Sequence, residues 1–181
     1  VIMMEMQKVL EQRRSIRKYQ DKPIKKEVVE ELLHAALLAP TWKNSQTGRY
    51  YVVMDKDKLE QVKKEGLAPF NAENTKDAPV LIVTTFVKDR SGYERNGEPS
   101  NELGNGWGCY DLGLQNENLL LKATDLGLST LVMGIRDADR LREMLSISEE
   151  EIIVSVIAVG YGDATPTMPK RKEISEFVTF Y

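Results

Sequence analysis

The sequence predicts a central mixed β-sheet covered by helices on both faces. Three observations carry that expectation. Segments with helical and strand patterning alternate along the chain. The short links that an all-antiparallel sheet of hairpins would use are missing. Two runs, PVLIVTTFV (79–87) and IIVSVIAVGY (152–161), are apolar throughout, as strands covered on both faces are.

From Glu5 to Arg14 the apolar residues Met6, Val9 and Leu10 recur at helical spacing, so a short amphipathic helix runs into the basic stretch that follows. Pro23 breaks the chain, because the residue before a proline is turned away from the helical region. KKEVVEELLHAALLA (25–39) resumes with a broad stripe of Val28, Val29, Leu32, Leu33, Ala36 and Leu37, and Pro40 stops it. RYYVVMD (49–55) is rich in strand formers, and DKLEQVKKEG (57–66) reads as a helix ending at Gly66. Residues 88–106 are polar and glycine-rich, a long loop of the kind that often binds or covers a ligand. YDLGLQNENLLLKATDLG (110–127) is a long helix with Leu112, Leu119, Ala123 and Leu126 on one side, closed by Gly127. LSTLVMG (128–134) is a short strand, RDADRLREML (136–145) a helix with an acidic start, and EIIVSVIAVGYG (151–162) a central strand. The tail ends in apolar Phe177, Val178, Phe180 and Tyr181, which call for a surface to lie on, such as another subunit's.

With 181 residues the chain suits one domain, 1–181, which would bury roughly two-thirds of its unfolded surface. A net charge of -3 and a pI of 5.4 argue against nucleic acid as a partner, so any anion site must be local. A lone cysteine, Cys109, excludes an internal disulfide and fits a reducing compartment. The N-terminal VIMMEMQKVL carries Glu5 and Lys8 without a small-residue cleavage pattern, unlike a signal peptide, and the longest apolar runs are about half a bilayer span. The expectation is a cytoplasmic protein with no membrane partner.

Four cations, Arg13, Arg14, Arg17 and Lys18, surround Ser15 in RRSIRK. This is either a solvated basic face or, if the backbone stays helical and the guanidiniums converge, an anion site. PTWKNSQ (40–46) offers Thr41, Asn44, Ser45 and Gln46 as neutral donors and acceptors for a polar heterocycle, or simply forms a turn. PKRK (169–172) is a basic tail or a second arm of the same clamp. No dinucleotide or phosphate-loop glycine motif, no nucleophile elbow and no metal-spaced Cys/His set occurs. His34 reads as a packed or half-exposed helix residue and Cys109 as a small apolar one, so a reactive group would come from a cofactor.

RRSIRKY, APTWKNSQ and PKRKEISEFV, in that order, together with YDLGLQNENLLLKATDLGLST running into LVMGIRD, make the chain resemble the FMN-dependent nitroreductase family over nearly its whole length. The resemblance implies an α+β three-layer sandwich, with a mixed, mostly antiparallel sheet, working as an intertwined homodimer with FMN at the subunit interface. It implies that Arg13, Arg14, Ser15 and Arg17 hold the flavin from one subunit, and that Pro40, Thr41, Trp42, Asn44 and Gln46 reach it from the other. Asn71 falls where members place a flavin-contacting polar residue, Met133 and Gly134 match the backbone beside the reactive edge, and Lys170 and Arg171 match phosphate contacts. NADH or NADPH would pass a hydride to flavin N5, and a nitroaromatic, quinone or similar acceptor would then take it in a ping-pong cycle. Dehalogenase, dehydrogenase or flavin-degrading chemistry, or non-catalytic flavin binding, are the alternatives. Where many members read N-S-Q-P-W-R-F this chain reads NSQTGRY, with Thr47 for proline and Gly48 for tryptophan. The exchange either leaves a roomier loop or only shifts a turn.

Overall fold

The computed structural model describes residues 5–181; Val1–Met4, which open the N-terminal segment discussed above, lie outside the described residues. Four strands, β1 (Gly48–Val53), β2 (Val80–Val87), β3 (Ser129–Met133) and β4 (Glu151–Gly160), form one sheet in the order β1-β2-β4-β3. Every pairing among them is antiparallel, which corrects the mixed sheet expected from the missing hairpins. The links carry helices instead of tight turns, and a link that long can return a strand in either direction. The parallel element is a bridge between Ser15 and Thr130, where the Ile16 amide donates to the Thr130 carbonyl at 3.0 Å.

Alternation along the central strands sorts the core into two layers. Leu81 and Val83 of β2 and Val156 and Ala158 of β4 face α3 (Lys56–Gly66) and α6 (Ala138–Leu145) through Leu59, Val62 and Leu141. Val80 and Ile82, with Ile157 and Val159, face α2 (Lys26–Leu37) and α5 (Gly106–Asp125) through Leu32, Ala36, Leu119 and Ala123. Helices on both faces give the expected three layers. A register shift between Thr84 and Thr85 keeps Ile153 on the α3/α6 side.

Local chemistry sets the ends of these elements. Asp55 and Asp137 accept the backbone amides of Lys58 (2.9 Å) and Arg140 (3.0 Å) at the starts of α3 and α6. Gly108 lets α5 sit directly on β2, because a Cβ there would collide with the Phe86 ring. Helix α5 begins at Gly106, earlier than the Tyr110 start expected. A short helix α4 (Pro69–Asn74) was not expected; it lacks an apolar stripe and is started by Pro69 in its first turn. His34 and Cys109 both lie exposed, His34 more open than the packed or half-exposed position expected.

The last residues leave the body. Asp163 is tied to Lys18 by an amide-to-carbonyl bond of 2.9 Å and an ion pair of 3.5 Å. Beyond it, among the described residues, no hydrogen bond links 164–181 to the rest of the chain. Helix α7 (Ile174–Phe177) is held by its own capping box between Glu173 and Glu176, with Ile174, Phe177, Phe180 and Tyr181 exposed. Among the described residues, no helix is long and apolar enough to cross a membrane.

Candidate functional site

The basic stretch is not helical. Helix α1 (Met6–Gln12) stops at Arg13, whose φ of -56° and ψ of 130° turn the chain extended. That corrects the helical convergence considered for Arg13 and Arg17. Ser15 and Arg17 are exposed and Arg13 is half-buried, while Ile16, 5% exposed, and Tyr19, 3% exposed, enter the core. Among the described residues neither the Arg13 nor the Arg17 guanidinium enters a hydrogen bond or an ion pair. Arg14 is spent differently: its Nη1 donates to the carbonyls of Glu11 (2.6 Å) and Arg13 (2.8 Å), closing the end of α1. Lys18 pairs with Asp163.

This segment borders β3, the edge strand that ends at Met133. The Met133 side chain is core, 2% exposed, so that residue offers only backbone to a ligand. Gly134 is exposed with open space where a Cβ would lie. Asn71 of α4 is buried beside them and donates through Nδ2 to the Ile135 carbonyl at 3.2 Å. Tyr19, two residues beyond Arg17, has a buried hydroxyl without a hydrogen-bond partner among the described residues; burial pushes its phenol upward, and the Arg17 charge partly offsets this.

Pro40–Gln46 lies at the other edge of the sheet, leading into β1. Three strand spacings, roughly 14 Å, separate the two edges, so one chain does not bring the two predicted groups together. The loop contains a turn of 3₁₀-helix, Trp42–Asn44, and three residues in the left-handed region: Lys43 (φ 47°), Asn44 (54°) and Gln46 (51°). Each costs roughly 1–2 kcal/mol for a residue with a Cβ. Thr41 Oγ1 accepts the Gln46 amide at 3.2 Å, and the side chains of Asn44 and Gln46 are exposed. Lys170 and Arg171 sit on the exposed tail, where Arg171 Nη1 donates to the Pro169 carbonyl at 3.0 Å.

Sequence reasoning missed what holds the loop. Asp111 Oδ2, on α5, accepts both the Trp42 amide (3.0 Å) and the Ser91 hydroxyl (2.8 Å). Ser91 Oγ also lies 2.7 Å from Ser45 Oγ and 3.2 Å from Thr47 Oγ1. Thus Thr47, which stands for the usual proline, joins a buried polar cluster. Gly48, which stands for tryptophan, has its space filled by Gln115, whose Oε1 is buried without a hydrogen-bond partner among the described residues. Exchange of the indole therefore leaves no extra room. Polar residues at core-facing positions of the α5 stripe, Asp111, Gln115 and Asn116, were the available signal.

The 88–106 loop is anchored rather than free. Ser91 and Gly92 are buried, and Tyr93 and Pro99 form an antiparallel bridge. Trp107 at its end packs on Trp42 (4.8 Å between centroids) and Tyr110 (5.5 Å), and Trp107 Nε1 donates to Asn101.

Comparison with known proteins bears on the fold and the family. The pattern of the Nitroreductase family matches residues 10–161. A protein of Methanothermobacter thermautotrophicus, which carries the provisional name NADH dehydrogenase/NAD(P)H nitroreductase, is 30% identical over 167 residues, spanning 90% of this chain and 80% of that one. Among solved structures, an FMN-dependent nitroreductase from Clostridium difficile superposes with a TM-score of 0.73 at 28% identity, covering 95% of this chain and 96% of the other. A nitroreductase family protein from Streptococcus pneumoniae shares the fold at a TM-score of 0.84, with 21% identity over 98% of this chain and 100% of its own. With a family pattern over most of its length on a matching fold, the chain belongs to the nitroreductase family of oxidoreductases.

Proposed function

We propose that this protein binds FMN and works as a homodimeric NAD(P)H-dependent oxidoreductase. The observation that carries the reading is the β3 edge, where two guanidiniums without ion-pair partners among the described residues flank an exposed serine bridged to Thr130. That donor set fits a phosphate of charge near -2 and the electron-rich pyrimidine edge of a flavin. Arg13 and Ser15 bind the phosphate; Arg17 opposes the negative charge that a reduced ring carries. Arg14 contributes through its backbone, since its guanidinium already caps α1. Asn71 presents an amide oriented by the Ile135 carbonyl, and the backbone of Met133 and Gly134 lines the same edge without side-chain obstruction.

The remaining contacts come from a second subunit. Pro40, Thr41, Trp42, Asn44 and Gln46 belong to the far edge of the sheet, and Lys170 and Arg171 to a tail with exposed apolar residues and, among the described residues, no hydrogen bonds to its own body. An intertwined dimer brings both to the β3 edge and covers that tail. When bound, FMN supplies two-electron transfer, with NADH or NADPH as donor and a nitroaromatic, quinone or similar conjugated electrophile as acceptor. The FMN named for the Clostridium difficile neighbour and the NAD(P)H named for the Methanothermobacter relative support this reading.

The test is direct. The purified protein should be yellow or take up added FMN stoichiometrically, and should oxidise NADH or NADPH in the presence of a quinone or nitroaromatic. Colourless protein that takes up no FMN rejects the proposal, and flavin binding without turnover on any acceptor rejects its catalytic half.

A further inference from the structure

We propose that Asp111 is a positioning residue for the flavin, fixing the strained 41–46 loop in the shape that presents Asn44 and Gln46. The inference rests on the flavin reading above. Three left-handed residues in a short segment have no reason to stay so unless the chain on both sides is tied down. Asp111 ties both sides. Its Oδ2 takes the Trp42 amide directly, just before the first left-handed residue, and reaches Ser45 and Thr47 through Ser91.

The direction of these bonds follows from proton count. Ser91 has one hydroxyl proton and gives it to the carboxylate, so the hydroxyls of Ser45 and Thr47 must donate to Ser91. One acceptor thereby sets the orientation of three hydroxyls, all within a cluster where Thr47, Ser91 and Asp111 are 1%, 1% and 3% exposed. Because α5 is seated on β2 at Gly108, the carboxylate is fixed relative to the sheet, and the loop inherits that placement. Both donors converge on the same oxygen, so an amide oxygen can replace it. The role is therefore that of an acceptor at a fixed point rather than of a charge.

The conservative variant separates this role from general packing. In protein free of cofactor, amide hydrogen exchange should show Trp42 and its loop neighbours protected. Asp111→Ala should lose that protection while β4 keeps its own, and Asp111→Asn should retain it. In FMN titrations Asp111→Ala should raise Kd about tenfold, the effect of losing one well-placed set of hydrogen bonds, and should shift the visible bands of the bound flavin. Asp111→Asn should match the wild type in both. If the wild type takes up no FMN, the flavin reading fails and this proposal falls with it. If the wild type binds FMN and Asp111→Ala binds it equally well with an unchanged spectrum, the positioning role alone is overturned. Should Asp111→Ala not fold, Ser91→Ala, which cuts the chain of hydroxyls but leaves the Trp42 amide bond, should show a smaller loss of the same kind in binding and spectrum; wild-type values there overturn the proposal.

Discussion

At the β3 edge, Arg13, Ser15 and Arg17 lie on a non-helical segment held to Thr130 by the Ile16 amide. At the β1 edge, Asn44 and Gln46 owe theirs to left-handed backbone tied to a buried carboxylate on a distant helix. The first edge exposes charge on inexpensive backbone; the second exposes neutral amides on strained backbone with a buried polar support. The comparison teaches that the first should tolerate changes around it and fail when a charged group is removed. The second should fail when its support is altered.

The largest expected effect lies at the first edge. Arg13→Ala should weaken FMN binding by about 1.5–3 kcal/mol, the range for hydrogen bonds to a charged group, with folding stability close to the wild type. Titration beside a urea melt checks both halves; equal affinity would break the assignment of charge to this edge. Next, Gly48→Val should lower stability by about 2 kcal/mol through overpacking, because its Cβ meets Gln115. Adding Gln115→Ala should recover much of that loss, and a double-mutant cycle with no coupling would refute the contact. The smallest effect is expected at Lys43, where glycine removes a Cβ from a left-handed position (φ 47°). Lys43→Gly should raise stability by up to about 1 kcal/mol and leave FMN affinity unchanged. A drop in stability would show that the loop does not carry the strain described.

The first edge was more legible in the sequence than the second. RRSIR offers anion chemistry as one of two readings of its residue types, the other being a solvated basic face, and the helices and strands followed from apolar periodicity. What failed was conformation at a boundary. Periodicity extends a helix through Arg14, but the Arg14 guanidinium caps the helix end and Ile16 enters the core, which together turn the backbone extended. The mixed sheet failed because link length does not determine strand direction. The loop was recognised by its polar residues, yet its support was hidden: Asp111, Ser91 and Thr47 are far apart in sequence and converge only in three dimensions. α5 shows why a simple hydrophobic stripe misleads, since its inward face mixes Leu112 and Leu119 with Asp111, Gln115 and Asn116.

The exposed tail carries a consequence for how the protein behaves on dilution. Lys170 and Arg171 ride on a segment without hydrogen bonds to its own body among the described residues, and in the proposed assembly they meet the cofactor only when a second chain is present. Cofactor retention and subunit association are then linked equilibria. FMN should hold the dimer together at concentrations where the apoprotein separates, and a preparation diluted far enough should lose colour and quaternary structure over the same range.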